Sequence, residues 1–551
     1  MNSLNEIIQV DWERRMRSNP ERASSMGDRR YDDQWTDYSL DAFDRRYREI
    51  ESELQMLNRI DIGVLSDEER LNCELLKLEL ETELEGEQYR LYLMPLNQRR
   101  GPQSLDDMAG YLRLETEQDF ENWLARLDKL PVLVDQHIEL LREGMRSGMM
   151  LPKVVLSRVP AQIEKQVVSS PEESPFFHAF KKAPNDALRE KAKAIIGQSV
   201  LPAMQKFQRF FVDEHLPACP DEIGFSHLPN GETIYAYLAR VHTTTSLTPD
   251  QIHETGLLEV ARITQEMEQC KDRAGFAGDM ASFFAFLRSD PQFFYKTGQE
   301  LLDAYRAMSK KIDPELVRLF RTLPRTPYGV EPIPMNIAPD TTTAYYRPAA
   351  ADGSRAGSYF VNLYKPESRP KWEMMALSLH EAVPGHHLQI ALAMEQTHLP
   401  NFRRHAYFNG YLEGWALSAE KLGEEMGLYE DEYSRFGRLT YEMWRSVRLV
   451  VDTGMHVKGW SREKAIEYFM QKAAKTELDV VNEIDRYIAW PGQALAYKIG
   501  EIKMQAIRAK CEKALGDRFD IKAYHDAILL DGAMPLNALE RKIDRWLANP
   551  V

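Results

Sequence analysis

Apolar residues recur every three to four positions, among alternating charges, through most of residues 40 to 320. That period is the signature of amphipathic helices. The runs "LDAFDRRYREIESELQMLNRI" and "DEERLNCELLKLELETELEGEQY" are the clearest cases, and their charges are read as solvated faces. In "LTPDQIHETGLLEV", Thr248 can cap, Pro249 suits a first helical turn and Gln251 completes an S/T-x-x-E/Q box, so a helix is predicted to begin there. The pattern breaks at "LPRTPYGVEPIPMNIAPD", residues 323 to 340, where repeated prolines exclude a regular helix and predict an extended crossing segment. This is the one internal boundary the text offers, between a helical N-terminal region, 1–322, and a C-terminal region, 323–551. The two are read as one continuous structural unit.

After the prolines, "TTAYYRPAAADGSRAGSYFVNLYKP" places a turn-rich centre between aromatic and β-branched flanks, the pattern of a hairpin. Within it "GSYFVNLY" is the best strand of the chain. Helical text resumes at 371 and continues to the end, so the fold class is mainly α with a small sheet over 335–365. There is no internal repeat and no low-complexity tract.

Composition narrows the function classes. With 43% hydrophobic and 28% charged residues the chain can build an ordinary globular core. A net charge of −15 with no local basic patch argues against nucleic acid as a partner, and no run of about 18 uncharged apolar residues suggests a membrane span. The start lacks an apolar signal core, which predicts a cytoplasmic protein as written, or an exported one if a signal peptide has been removed. Cys73, Cys219, Cys270 and Cys511 have no C-x-x-C spacing and are read as reduced and structural.

The candidate chemistry lies in "SLHEAVPGHHLQIAL", residues 378 to 392. His380-Glu381 begins like the zinc helix H-E-x-x-H, in which a rotation of about 400° over four residues returns the second histidine to the face of the first. Here Pro384 occupies that place, and histidines follow only at 386 and 387. On a regular helix His386 would be turned by about 600° and point away, while His387 would sit about 10 Å further along the axis. Pro384-Gly385 offers a way out: proline disrupts a helix interior and glycine accepts unusual dihedrals, so the pair can loop out as a local bulge and bring His386 back beneath His380. The alternative is a helix that ends at Pro384 with surface histidines beyond it.

A second segment favours the metal. In "NGYLEGWALSAEKLGEEMG", Glu413 and Glu420 lie two helical turns apart on one face among apolar residues. A carboxylate on an apolar face needs a partner. Zinc can be that partner for Glu413, and Glu420 can hold a ligating histidine or form a salt bridge with an arginine.

Taken in order, "HEAVPGHHLQ", "EGWALSAE", "RLVVDTGMH" and "RYIAWPGQALAYKIG" resemble the bacterial family catalogued as domain of unknown function 885, over most of the chain. That family looks related to the helical zincin peptidases, among them thimet oligopeptidase, carboxypeptidase Taq and angiotensin-converting enzyme. The resemblance implies a helical zincin-like fold with a deep central channel and a small sheet near the active site, and its edge strand, for which "GSYFVNLY" is the candidate, pairs with a bound peptide. It implies one Zn2+ per chain held by His380, His386 and Glu413, with His386 chosen over His387 because the family pattern is H-E-x-x-P-G-H. Glu420, His387 and Arg448 stand behind these ligands.

The expected function is hydrolysis of short peptides by water that the metal and Glu381 activate, in the manner of an oligopeptidase or carboxypeptidase. Donors to the oxyanion are sought in His456, Arg486, Tyr487 and Tyr497, since the zincin relatives supply histidine and tyrosine there. The choice between the two tyrosines stays open. Arg448 and Arg486 could instead bind a substrate carboxylate, or merely pair with Glu420. The remaining histidines lack motif partners and are read as structural. Competing functions are a metal-dependent amidohydrolase acting on a non-peptide amide, a catalytically inactive peptide-binding protein, and a helical scaffold with an accidental histidine cluster; oligomeric state is not legible.

Overall fold

Capping decides where the long helices begin. The computed structural model describes residues 3–335, 337–351 and 353–548. Helix α1, Leu40–Leu57, starts behind Ser39, whose hydroxyl accepts from the Ala42 amide, and α2, Asp67–Glu87, starts in a reciprocal box between Ser66 and Glu69. Helix α3, Pro249–Arg273, opens on the predicted Thr248–Gln251 box. Helix accounts for 70% of the chain and strand for 3%, so the expected minority of strands is what the fold contains.

The chain falls into two compact units, one of Met1–Ile223 with His227–Gly231, the other of Gly224–Ser226 with Glu232–Val551. The first is helical throughout, with α1 packed on α2 around Ile50, Leu57, Leu76 and Leu80. The proline-rich segment 323–340 lies inside the second unit.

That unit holds the whole sheet: β1 (Tyr328–Pro332), β2 (Ala344–Arg347) and β3 (Gly357–Val361). Strands β2 and β3 form the predicted hairpin, antiparallel, with Ala344 opposite Val361 and Arg347 opposite Ser358. The edge-strand expectation for "GSYFVNLY" is overturned. Strand β3 is central, with β1 parallel on its other side, Tyr328 opposite Gly357 and Pro332 opposite Val361. Its residues are buried from Gly357 to Val361, as a strand with neighbours on both sides should be. The outer strands are β1, which ends on a proline that such a position tolerates, and β2.

The same unit holds α4 (Met374–Glu381), α5 (His386–Glu395), α6 (Asn409–Glu425), α7 (Glu432–His456), α8 (Glu477–Ala489) and α9 (Ala496–Leu515). Helix α4 is buried at every position, so it is apolar all round save its functional end. It packs on α6, α7 and β2. Helices α6 and α9 touch backbone to backbone. A Cβ on Gly500 would lie 2.0 Å from the Gly410 carbonyl oxygen and 2.7 Å from the Gly414 Cα, so only glycine permits this approach.

Candidate metal centre

The zinc-like motif is a broken helix rather than a bulged one. Helix α4 stops at Glu381, and Ala382 (φ −97°, ψ −107°) and Gly385 (φ −73°, ψ −128°) leave the helical region before α5 starts at His386. Between them the Val383–Pro384 peptide is cis. The short link is secured by the amide of His387 donating to the Ala382 carbonyl at 3.0 Å and by the Trp415 indole donating to the Pro384 carbonyl at 2.8 Å. Gly385 is pressed on the end of α4: a Cβ there would stand 1.9 Å from the His380 carbonyl oxygen. This fold-back does what a regular helix cannot. The His380 and His386 rings lie 4.8 Å apart between centroids, at 86° to each other.

Helix α6 brings the third group. Glu413 Oε2 is 3.6 Å from His380 Nε2 and 3.4 Å from His386 Nε2, and these three residues can offer one ligand atom each within 4.8 Å of one another. Both gaps exceed an ordinary N–H···O bond, and Glu413 Oε2, which is buried, has no hydrogen-bond partner. Ligand atoms about 2.0–2.1 Å from a tetrahedral zinc lie roughly 3.3–3.4 Å apart. The donor set, two imidazoles and a carboxylate, and its spacing therefore fit such an ion.

Glu420, two turns on from Glu413, does both things proposed for it. Its Oε1 accepts from His380 Nδ1 at 2.9 Å and lies 3.3 Å from Arg445 Nη2. The arginine is not Arg448 but the residue one turn earlier on α7, a partner the sequence reading did not select although Arg445 and Arg448 share a helix face. Burial alone would lower the His380 pKa, but Glu413 and Glu420 outweigh it and hold the ring up at about 9. Glu413, against its own burial, is held well below the usual carboxylate range by His386 and His380. Glu381 occupies the last position of α4, beside His380, and is 9% exposed.

His387 turns elsewhere. Its Nδ1 pairs with the Tyr346 hydroxyl at 2.9 Å and its Nε2 with the Thr326 carbonyl at 3.1 Å, and burial depresses its pKa to about 4. It ties α5 to the sheet region and does not back the ligand cluster.

The residues expected to assist the oxyanion divide sharply. Tyr497, in the first turn of α9, is half-buried with its ring nearly parallel to that of His380, 6.3 Å away and tilted by 12°. Its phenol pKa is raised, by burial first and by the charge of Glu413, with Arg448 and Arg486 opposing the rise. Tyr487 is fully buried; its hydroxyl donates to Glu483 at 2.7 Å and accepts from Arg448 at 2.7 Å and from Trp444 at 3.0 Å. His456 is fully buried too, accepting from the Phe225 amide at Nδ1 and donating to the Tyr487 carbonyl from Nε2, and burial lowers its pKa to about 4. Arg486 makes a two-pronged contact with Glu483 and donates to Gln493 Oε1 at 2.6 Å. Of the four, Tyr497 alone faces the ligand cluster; the other three have their polar atoms engaged within the helices behind it. The sequence could not separate them, because all sit in similar helical text.

Tyr407 carries no motif signal and was not anticipated. It lies in the link before α6 and is 66% exposed. Among the described residues no helix is long and apolar enough to cross a membrane.

No curated protein matches the chain. A solved structure described as the putative lipoprotein from Colwellia psychrerythraea superposes with a TM-score of 0.92 at 29% identity, covering 99% of this chain and 98% of that one. Another, described as a putative lipoprotein of unknown function from Shewanella oneidensis, has a TM-score of 0.69 at 16% identity over 98% and 99% of the two chains, which shows a common fold. The family model described as bacterial protein of unknown function, DUF885, matches residues 20–543, and the chain belongs to that family.

Proposed function

We propose that the protein is a zinc-dependent metallopeptidase acting on short peptides. The observation that carries the reading is the convergence of His380 Nε2, His386 Nε2 and Glu413 Oε2 at ligand spacing, with Glu381 next to the first of them. A zinc ion held there supplies Lewis acidity, lowering the pKa of water and polarising a carbonyl. Glu381 takes a proton from the attacking water and returns it to the leaving amine. Glu420 fixes the His380 tautomer by accepting from Nδ1, which leaves Nε2 as the donor atom. The Tyr497 phenol donates to the developing oxyanion. The likeness to the helical zincins, with their channel, belongs to the same proposal.

Strand addition moves to β2. It is an outer strand of the sheet and it packs on α4, the helix that carries His380 and Glu381, so an extended peptide paired there would run beside the cluster. The description of the Colwellia relative as a lipoprotein favours an exported setting over a cytoplasmic one.

The test is metal content per chain by mass spectrometry for wild type, Glu413→Ala and His386→Ala, beside hydrolysis of a quenched mixed-peptide library. One zinc in wild type, lost in both variants, together with peptide cleavage, is the expected result. Zinc without cleavage would transfer the site to a non-peptide amide or to peptide binding. A zinc-replete wild type that holds no metal would end the proposal.

A further inference from the structure

A cavity of about 380 Å³ lies in the second unit at the turn end of the sheet, walled by the approach to β1, the turn from β2 to β3 and α5. That volume is in the range of small-ligand sites. It reaches Tyr346 of β2, whose hydroxyl bonds His387 Nδ1 at 2.9 Å, and Ala391, one turn beyond His387 on α5. Successive residues of a helix point about 100° apart, so the face that carries His387 and Ala391 is turned away from that of His386. The cavity therefore flanks the metal cluster, and none of the three proposed ligands lines it.

Its walls carry charge unevenly. Among the described residues that line it are three guanidinia, of Arg325, Arg355 and Arg404, and one carboxylate, of Glu395. Glu395 is spent on its own wall. Its Oε1 accepts from the amides of Arg325 and Thr326, at 2.9 and 2.8 Å, and from the Thr326 hydroxyl at 2.8 Å, while Oε2 lies 3.4 Å from Arg325 Nε. It thereby pins the approach to β1 onto α5 and balances Arg325.

Arg404 has no such counter-charge. Its Nε and Nη2 donate to the Met394 carbonyl at 3.0 and 2.7 Å, and its Nη1 to the Asn401 side-chain oxygen at 3.4 Å. Neutral oxygens thus steer the guanidinium, and N–H groups on both terminal nitrogens are left over for a guest. Much of the remaining lining is apolar: Pro327, Met394 and the alanines of the turn. A bare inorganic anion would use only the cation, whereas a carboxylate on a short stem uses both parts of the wall.

We propose that this cavity binds the carboxylate of a short peptide, at its C-terminus or on an acidic side chain, with Arg404 as the anchor. The site itself does not depend on the peptidase reading; its use as a seat for the acidic group of a substrate beside the metal cluster rests on that reading.

The test titrates the full chain carrying Glu381→Gln, which consumes no peptide, by calorimetry before and after removal of zinc. The probes are acetyl-trialanine, with a terminal carboxylate, acetyl-dialanyl-glutamate amide, with a side-chain carboxylate, and acetyl-trialanine amide, with neither. At least one acid is expected to bind more than tenfold tighter than the neutral amide, with or without zinc, and the tighter of the two acids names the source. Arg404→Gln should weaken that acid by about 10- to 100-fold, the range for a hydrogen bond to a charged group, and leave the neutral amide unchanged. Because Arg404 also holds the Met394 carbonyl, a second variant spares every bond of the wall: Thr397→Glu, at an exposed position lining the cavity, should weaken the acid by like charge and leave zinc content as it was. Equal binding of acids and amide, or acid binding unchanged in either variant, would overturn the proposal. So would acid binding that disappears with the zinc, which would place the carboxylate on the metal. If the protein holds no zinc and wild type cleaves no peptide, the peptidase reading fails by itself, and the titration still decides whether the cavity takes a carboxylate.

Discussion

Of the clusters of buried charge in the second unit, two are built on opposite plans. In one, Lys498 on α9 is 1% exposed and sits 2.8 Å from Glu442, 2.8 Å from Glu501 and 2.9 Å from Glu259, while Arg438 and Arg262 close on Glu442 from further out. The three cations meet Glu442, Glu501 and Glu259 at hydrogen-bond length, and Arg262 and Arg438 also pair with Glu266 and Glu424 nearer the surface. In the other, Glu381, Glu413 and Glu420 gather round two imidazoles, and the arginine in contact with that group is Arg445, on Glu420. Its central contacts are 3.4 and 3.6 Å, too long for a shared proton. A buried ionic group whose charges close on one another at hydrogen-bond length joins helices; one whose carboxylate and imidazole lone pairs converge on a common point at longer spacing is arranged for something positive to arrive.

The contrast can be broken at four points, in decreasing order of effect. Replacing Glu381 by Gln should leave zinc bound while lowering kcat by about 10²- to 10⁴-fold, the range for a general base; a variant with near wild-type turnover would remove Glu381 from the chemistry. In the Lys498 cluster, Lys498→Met should destabilise the fold by about 3–5 kcal/mol, since it leaves buried carboxylates without a counter-charge, yet the folded fraction should keep its zinc. Urea unfolding with zinc analysis of the native fraction separates the two effects. Glu420→Gln keeps an acceptor for His380 Nδ1 but loses the charge, and should weaken zinc affinity by about 10- to 100-fold in chelator competition, with kcat of the loaded protein changed far less.

The fourth point is pH. In metal-free protein His380 is held up to about 9 by the two glutamates, so its proton stabilises that form fully below 6.5, and this stabilisation is lost as pH rises through about 9. Zinc must displace the proton, so apparent zinc affinity should climb by about tenfold per pH unit and level off near pH 9. Affinity that is flat between pH 7 and pH 9 would mean the ligand set does not include a protonated His380.

What the sequence disclosed follows from what is local. Helix periods, the Thr248 cap and the hairpin depend on neighbours within a few residues, and all were readable. The proximity of His380, His386 and Glu413 was suggested by motif and resemblance, but the means was not: the fold-back at 382–385 depends on Gly385 lying against the carbonyl of His380, a contact that no helix period describes. Strand β1 escaped notice because its flanking prolines read as irregular text, and its parallel pairing with β3 joins residues far apart in the chain. Tyr487 and Tyr497 could not be told apart because the distinction lies in which of α7, α8 and α9 each side chain meets.

The contact between Gly414 and Gly500 has a consequence for how the site tolerates change. Glu413 and Tyr497 each lie within three residues of that point, on α6 and α9, so the separation of the proposed ligand from the proposed donor is gauged by main chain on main chain with no side chain interposed. Most helix pairs can drift by fractions of an ångström as their packing residues are exchanged. This pair has no such shim, so substitution elsewhere in the core can alter stability while the gauge between the two halves of the site stays where the backbones meet.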